Sequence, residues 1–188
     1  DEIYGRKHGA DSYQSLTGQP MFLGQKSNAL FASMNMILRY RYTYDKKYAR
    51  RVYPYLLAVA DFWEDYLEYE NGRYVINNDS FGEVGPWQKN GWQKGYGDRN
   101  PITSLGFLRV FFKAMIEISD DLNADRKRQA AWRHILAHLS DLPTYDDRAR
   151  GRKRFRACDG GSGSALNRVG LDRIMLHALV FPAPNIGL

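Results

Sequence analysis

The sequence predicts a mainly α-helical domain built from helical hairpins. Apolar residues recur at three- and four-residue steps across residues 27–70 and 100–141. Helix-start and helix-stop signals bracket both stretches. Hydrophobic content of 44% and aromatic content of 14% provide enough apolar surface for a core.

The first helix opens at Ser27, a suitable N-cap, and carries Leu30, Phe31, Met34, Ile37 and Leu38 along one side to about Tyr42. Asp45 caps the second, which is expected to reach about Glu70 and stop at Asn71-Gly72. Leu56, Val59, Ala60, Trp63, Tyr66 and Leu67 form its inner face. Asp61, Glu64, Asp65 and Glu68 form the solvated one. Pro54 lies within this pattern and either kinks or restarts the helix. "RYVIN", residues 73–77, alternates and is β-branched, so it reads as a short strand or hairpin arm.

Asn100-Pro101 reads as the start of a third helix, with Asn at the cap and Pro at the first helical position. Two stripes follow, Leu105/Leu108/Phe112/Met115 and Phe107/Phe111/Ala114/Ile118, so this helix is buried on more than one side. Asp125 opens a fourth helix, with Trp132, Ile135, Leu136 and Leu139 inward, stopping before Pro143. Residues 143–170 are basic and glycine-rich, with 160–170 reading as a flexible connector. Residues 169–182 are apolar, a short helix or strand packing back.

Composition narrows the function classes. Cys158 is the only cysteine, so neither an intrachain disulfide nor a cysteine-based zinc site can form. No run approaches the roughly eighteen apolar residues that a membrane span requires. His134 and His138 stand four apart on a helix but lack an HExxH pattern and an evident third ligand. No P-loop and no Gly-x-Ser-x-Gly elbow is present. The run "RARGRKRFR" at 148–156 has the clustered charge of an anion-binding segment. It contains one aromatic, and a solvated basic loop is the plainer reading.

The most informative stretch is "NDSFGEVGPWQKNGWQKGYGDRNP", residues 78–101, which joins the two hairpins. Structureless connections beyond about fifteen residues in a compact domain are usually functional or disordered. Two indoles argue for the former. The stretch holds Asp79, Glu83 and Asp98 beside Trp87, Trp92 and Tyr96. Carboxylates beside flat rings suit glycoside hydrolysis: one acid protonates the leaving oxygen, a second carboxylate activates water or attacks the sugar, and the rings stack on the sugar's apolar face. Glu83, flanked by Phe81, Val84 and Trp87, has the most apolar neighbourhood, which favours the protonated form a general acid needs. The alternative is an ordinary polar loop whose acids bond to backbone amides and whose indoles pack on helices.

Element order and wording together resemble a known group. "YPYLLAVADFWEDYL" (53–67), a short strand, "NDSFGE" (78–83), "NPITSLGFLRVFF" (100–112) and "VFPAPNIGL" (180–188) follow one another as in the six-hairpin glycosidases. The closest similarity is to glycoside hydrolase family 95, the α-L-fucosidase and α-L-galactosidase group, and its bacterial relatives. The resemblance spans roughly residues 28–142 and 169–188. It implies an (α/α)6 barrel, an oligosaccharide or polysaccharide substrate, an extracellular or periplasmic setting, and chemistry without metal or organic cofactor. It also implies that Glu83 is the general acid and that Asp98 and Asn100 contact sugar, while Asp79, Trp87 and Trp92 are the further substrate-binding candidates of the stretch itself. This sequence departs from the family's Ser-Pro-Glu pattern in having Phe81-Gly82-Glu83, and a proline follows Asn100.

On this resemblance residues 1–188 are one incomplete domain, an internal piece of a longer chain. The second carboxylate would lie further along, and the remaining helices of the barrel would come from the rest of the parent chain. No nucleic-acid or membrane partner is expected. A non-catalytic helical module that binds carbohydrate or protein through the same aromatic loop is the competing expectation.

Overall fold

The computed structural model describes residues 26–79 and 98–161. Glu83, Trp87, Trp92 and the apolar segment 169–182 lie outside the described residues. Among the described residues the fold is mainly α-helical: α1 (Asn28–Thr43), α2 (Lys46–Tyr66), α3 (Ile102–Leu122) and α4 (Gln129–His138), with six short strands between and after them. The strands are β1 (Glu68–Glu70), β2 (Arg73–Val75), β3 (Asp98–Arg99), β4 (Thr144–Asp147), β5 (Arg152–Phe155) and β6 (Gly160–Gly161), paired β1–β2, β3–β6 and β4–β5, all antiparallel.

Helix α3 is the centre of the helical layer. Its polar residues Arg109, Lys113, Glu117 and Asp120 follow one another at three- and four-residue steps in a single narrow stripe, and nearly everything else from Ile102 to Ser119 is buried. Both apolar stripes of the sequence therefore find partners. Phe111, Phe112, Leu105 and Met115 join Met34 and Ile37 of α1, Leu56 and Trp63 of α2, and Trp132 of α4 in one core. Each such side chain contributes about 1.5–3 kcal/mol by leaving water. Trp132 is fully buried, yet its indole N–H donates to Glu64, which also accepts from Arg128 at 2.7 Å. The one polar atom of the ring is thereby satisfied.

Helices α1 and α3 run parallel. Their first residues meet around Asp79, and near their last turns Tyr40 donates to Asp121 at 2.5 Å while Arg41 pairs with Glu117 at 3.0 Å. The short turns 44–45 and 123–128 therefore gather at one end, and the long connections at the other.

Several local expectations need correction. Helix α2 ends at Tyr66 instead of near Glu70. Asn71 and Gly72 have φ of 50° and 81°, both left-handed, and form the turn of the β1–β2 hairpin. Asn-Gly ends helices and turns hairpins by the same backbone freedom, and here the alternating Glu68-Tyr69-Glu70 decides for the hairpin. Asp45 does cap α2, accepting from the amides of Lys47 at 2.8 Å and Tyr48 at 3.1 Å. Pro54 neither ends nor restarts the helix. It and Arg50, whose carbonyl it deprives of a donor, both face solvent, where water can substitute.

Asn100 is not the cap of α3. The helix begins at Ile102 with extended Pro101 before it, and Asn100 is left-handed at φ 50°. Asp125 is also left-handed and leads first into a 3-10 turn, Arg126–Arg128. Helix α4 stops at His138 because the chain then extends: Leu139 bridges to Tyr74, and the Ser140 amide donates to the Tyr74 carbonyl at 3.0 Å. The basic stretch after Pro143 is a β-hairpin rather than a loop, and residues 160–161, the start of the expected connector, form a strand.

Candidate active site

The end of the helical layer that collects the long connections is built on buried polar residues. Asp79 and Asp98 pair in an antiparallel bridge, with the Asp98 amide donating to the Asp79 carbonyl at 2.7 Å and the reverse bond at 3.2 Å. The segment 80–97, which carries Glu83, Trp87 and Trp92, thus leaves and rejoins the described fold at one closed base.

The Asp79 side chain fixes that base to both parallel helices. One carboxylate oxygen accepts from the backbone amide of Lys26 at 2.9 Å, and the other accepts from the Ser104 hydroxyl at 2.6 Å. Lys26 also reaches the Asn78 carbonyl through its ammonium at 2.5 Å. Asp79 is 1% exposed and Asp98 fully buried, so both are covered by protein in this arrangement. A buried carboxylate needs such donors, because desolvation without them costs several kcal/mol.

Asn100 performs a second closure. Its side-chain oxygen accepts from the Ile76 amide at 2.8 Å, its own amide donates to the Ile76 carbonyl at 2.8 Å, and its side-chain nitrogen donates to Asp159 at 2.9 Å. The left-handed backbone of Asn100 turns the chain so that side chain and main chain both face residue 76. Asparagine tolerates this conformation better than most residues. The first amide of α3, that of Ile102, is satisfied by the Ala157 carbonyl at 2.8 Å, and the Asp159 amide donates to Arg99 at 2.9 Å.

A more exposed polar group lies beside this base. Arg99 donates to Glu70 at 2.8 Å and to the Asn77 side-chain oxygen at 2.8 Å, while Asn77 donates to Glu68 at 2.9 Å and to Glu70 at 3.1 Å. The hydrogen bond from Arg99, and then that from Asn77, hold the Glu70 carboxyl below its ordinary range, so it stays ionised. On the other side of the hairpin, Tyr69 and Tyr74 pack with His134 and His138, whose rings stack at 4.1 Å. The Tyr74 hydroxyl lies 3.1 Å from Nδ1 of His134. No cluster of three or more potential metal-ligating side chains occurs among the described residues. No helix among them is long and apolar enough to cross a membrane.

Of the site residues expected from sequence, the structure brings Asp79, Asp98 and Asn100 together. Glu83, Trp87 and Trp92 are outside the described residues. Lys26, Ser104, Arg99, Asp159 and Glu70 were not singled out in the sequence, although they complete the base. Ser104 had a visible signal, a hydroxyl next to Thr103 within a helix otherwise apolar on most sides. Lys26 had none, because it contributes mainly a backbone amide across a separation of 53 residues.

These bonds make a buried polar floor at the loop end of the helical layer. Comparison with curated proteins found no match. A family model, the glycosyl hydrolase family 95 catalytic domain, matches residues 10–149. The match takes in all four helices and the floor from Asp79 to Asn100, and the chain accordingly belongs to glycosyl hydrolase family 95.

Proposed function

We propose that this chain supplies the proton-donating part of a two-carboxylate glycoside-hydrolysing site, with Glu83 as general acid. The observation that carries the reading is the closed base. Asp79 and Asp98 are joined by backbone hydrogen bonds of 2.7 and 3.2 Å at the end where the long connections gather, so the segment bearing Glu83 starts from an anchored position. Positioning of the acid to within a fraction of an ångström is what general acid catalysis demands. Trp87 and Trp92 offer stacking faces for sugar. Asp98, Asp79 and Asn100 are the polar groups nearest the base of that segment. The burial of Asp79 and Asn100 suits them to holding the floor on which sugar-contacting atoms are arranged.

The domain assignment follows the same reading: residues 1–188 form part of an (α/α)6 barrel, with the second carboxylate and the remaining helices supplied by the rest of the parent chain. Hydrolysis then needs a protonated Glu83 at the leaving oxygen and an ionised partner that either activates water or attacks the anomeric carbon.

The test is hydrolysis by the full parent protein, wild type beside Glu83→Gln. Natural oligosaccharides and aryl glycosides, α-L-fucosides and galactosides included, serve as substrates. Loss of the acid lowers kcat on the natural oligosaccharide by about 10²–10⁴-fold. The loss is smaller on aryl glycosides, whose leaving groups need little protonation. Equal activity of the variant on the natural substrate would reject Glu83 as the acid. Sugar binding without turnover by the wild type would instead favour a non-catalytic binding module.

A further inference from the structure

The solvent face of α2 carries a charge pattern that the core does not explain. Lys47, Arg51, Pro54, Ala58, Asp61 and Asp65 are all exposed and follow one another at alternating steps of four and three residues. In a helix of about 3.6 residues per turn that spacing keeps them on one narrow stripe, about 27 Å long. The first two are cations, the last two are carboxylates, and the two between are small and uncharged. Arg50 is exposed beside the basic half.

Few of these charges are answered within the chain. Helix α2 packs inward on α1 and α3 through Leu56, Val59, Ala60 and Trp63, which leaves the stripe on its outer side. No ion pair within 4.0 Å involves Lys47, Arg50, Arg51 or Asp65 among the described residues. Arg51 lies 5.3 Å from the centre of the Tyr48 ring. Asp61 accepts from Arg128 at 2.6 Å through one oxygen, and its side chain is 61% exposed. The two halves cannot neutralise each other along the helix, because side chains meet there only three or four residues apart.

The stripe is symmetric about position 56. Lys47 and Asp65 lie nine residues on either side of it, Arg51 and Asp61 five, and Pro54 and Ala58 two. A second α2 laid antiparallel on the first, with a two-fold axis at that position, sets Lys47 opposite Asp65 and brings Arg50 and Arg51 across from Asp61. Pro54 then faces Ala58, and every contact occurs twice. The small central residues let the two backbones approach. A parallel arrangement would set cation on cation and acid on acid. Such self-complementarity is what a two-fold interface between identical chains requires, and a foreign partner has no need of it.

We infer that the outer face of α2 is a docking surface for a second copy of this chain, in an antiparallel α2–α2 dimer. A single helix pair is a small interface, so the dissociation constant is expected at roughly 1–100 μM. The dimer leaves the floor at Asp79 and Asp98 untouched and does not depend on the role of Glu83.

The experiment is sedimentation velocity of the full parent protein from about 1 to 100 μM, at low and high salt. The expected result is a passage from monomer to dimer mass. Salt should move it to higher concentration, because exposed charges are screened over about 8 Å at physiological ionic strength. Lys47→Glu/Arg50→Glu and Asp61→Lys/Asp65→Lys should each weaken the dimer by about tenfold or more. Mixed in equal amounts, these two variants should pair with each other, because the facing charges are again opposite. Asp141→Lys/Asp146→Lys, the same charge change at exposed positions outside α2, should dimerise as wild type and recruit Lys47→Glu/Arg50→Glu far less.

A wild type that stays monomeric throughout overturns the inference. If Lys47→Glu/Arg50→Glu is then also less stable to denaturant, the face belongs to another segment of the parent chain. Reversed variants that dimerise as wild type reject it, as does a mixture that fails to pair. Equal recruitment by the Asp61/Asp65 and Asp141/Asp146 variants would reduce the effect to net charge and reject it too.

Discussion

The two ends of the helical layer are held by different physics. At the short-turn end, Arg41–Glu117 and Lys46–Asp121 are pairs of half-exposed side chains at 3.0 and 3.9 Å. At the long-connection end, Asp79, Asp98, Asn100 and Ser104 are all buried. Water can replace a partner lost from either of these pairs, and it cannot readily do so for the buried groups at the second end. Burying polar groups is tolerated only with their hydrogen bonds made. Their concentration at one end marks where a fixed geometry matters more than ease of folding.

Removing Ser104 tests that difference most severely. Ser104→Ala takes a 2.6 Å donor from a buried carboxylate and should destabilise the protein by roughly 1–3 kcal/mol. Denaturant unfolding measures it. The same substitution in an Asp79→Ala background should cost less, because no orphaned acceptor remains. Equal costs in the two backgrounds would mean that the hydroxyl and carboxylate do not act as a pair.

Tyr40, at the opposite end, should give a smaller and pH-dependent effect. Burial, and then the hydrogen bond to Asp121, push its phenol well above the ordinary tyrosine pKa of about 10. A folded-state pKa above the unfolded one stabilises the fold fully below about pH 10. Above that, the unfolded chain gains by ionising while the folded one does not, and stability falls. Tyr40→Phe should cost about 0.5–1.5 kcal/mol at neutral pH and flatten the alkaline decline. Unfolding midpoints followed from neutral to alkaline pH would show it. An unchanged alkaline slope in the variant would place the effect elsewhere.

The smallest effect is expected at Arg41–Glu117. Both side chains are about a third exposed, so a double-mutant cycle should give a coupling of roughly 0.2–1 kcal/mol that diminishes in high salt. A coupling as large as the Ser104 effect would erase the contrast between the two ends.

The helices were legible because their signal is repeated: the two stripes of α3 and the Leu56–Trp63 face of α2 recur over several turns, and both packed as read. Single-dipeptide signals were less decisive. Asn71-Gly72 could end a helix or turn a hairpin, and Asn100-Pro101 could cap a helix or, as found, fold back onto Ile76. Partners elsewhere in the chain settled both. The residues of the closed base were partly legible, since Asp79, Asp98 and Asn100 stand out by type in the connecting stretch. Their partners Lys26, Ser104 and Asp159 lie 53, 25 and 59 residues away, and nothing local announces them.

The bridge between Asp79 and Asp98 has a consequence for how such a protein can diversify. With the strand ends already joined, the helices are indifferent to how much chain hangs beyond them. Doubling a flexible loop adds only about 0.6 kcal/mol of closure entropy. Residues 80–97 can therefore be exchanged for a shorter or longer cassette as a unit while the α1–α3 packing stays as it is. Grafting from a relative should succeed when the junctions are placed at positions 79 and 98, and should destabilise the protein when Asp79, whose carboxylate holds Lys26 and Ser104, is replaced along with the cassette.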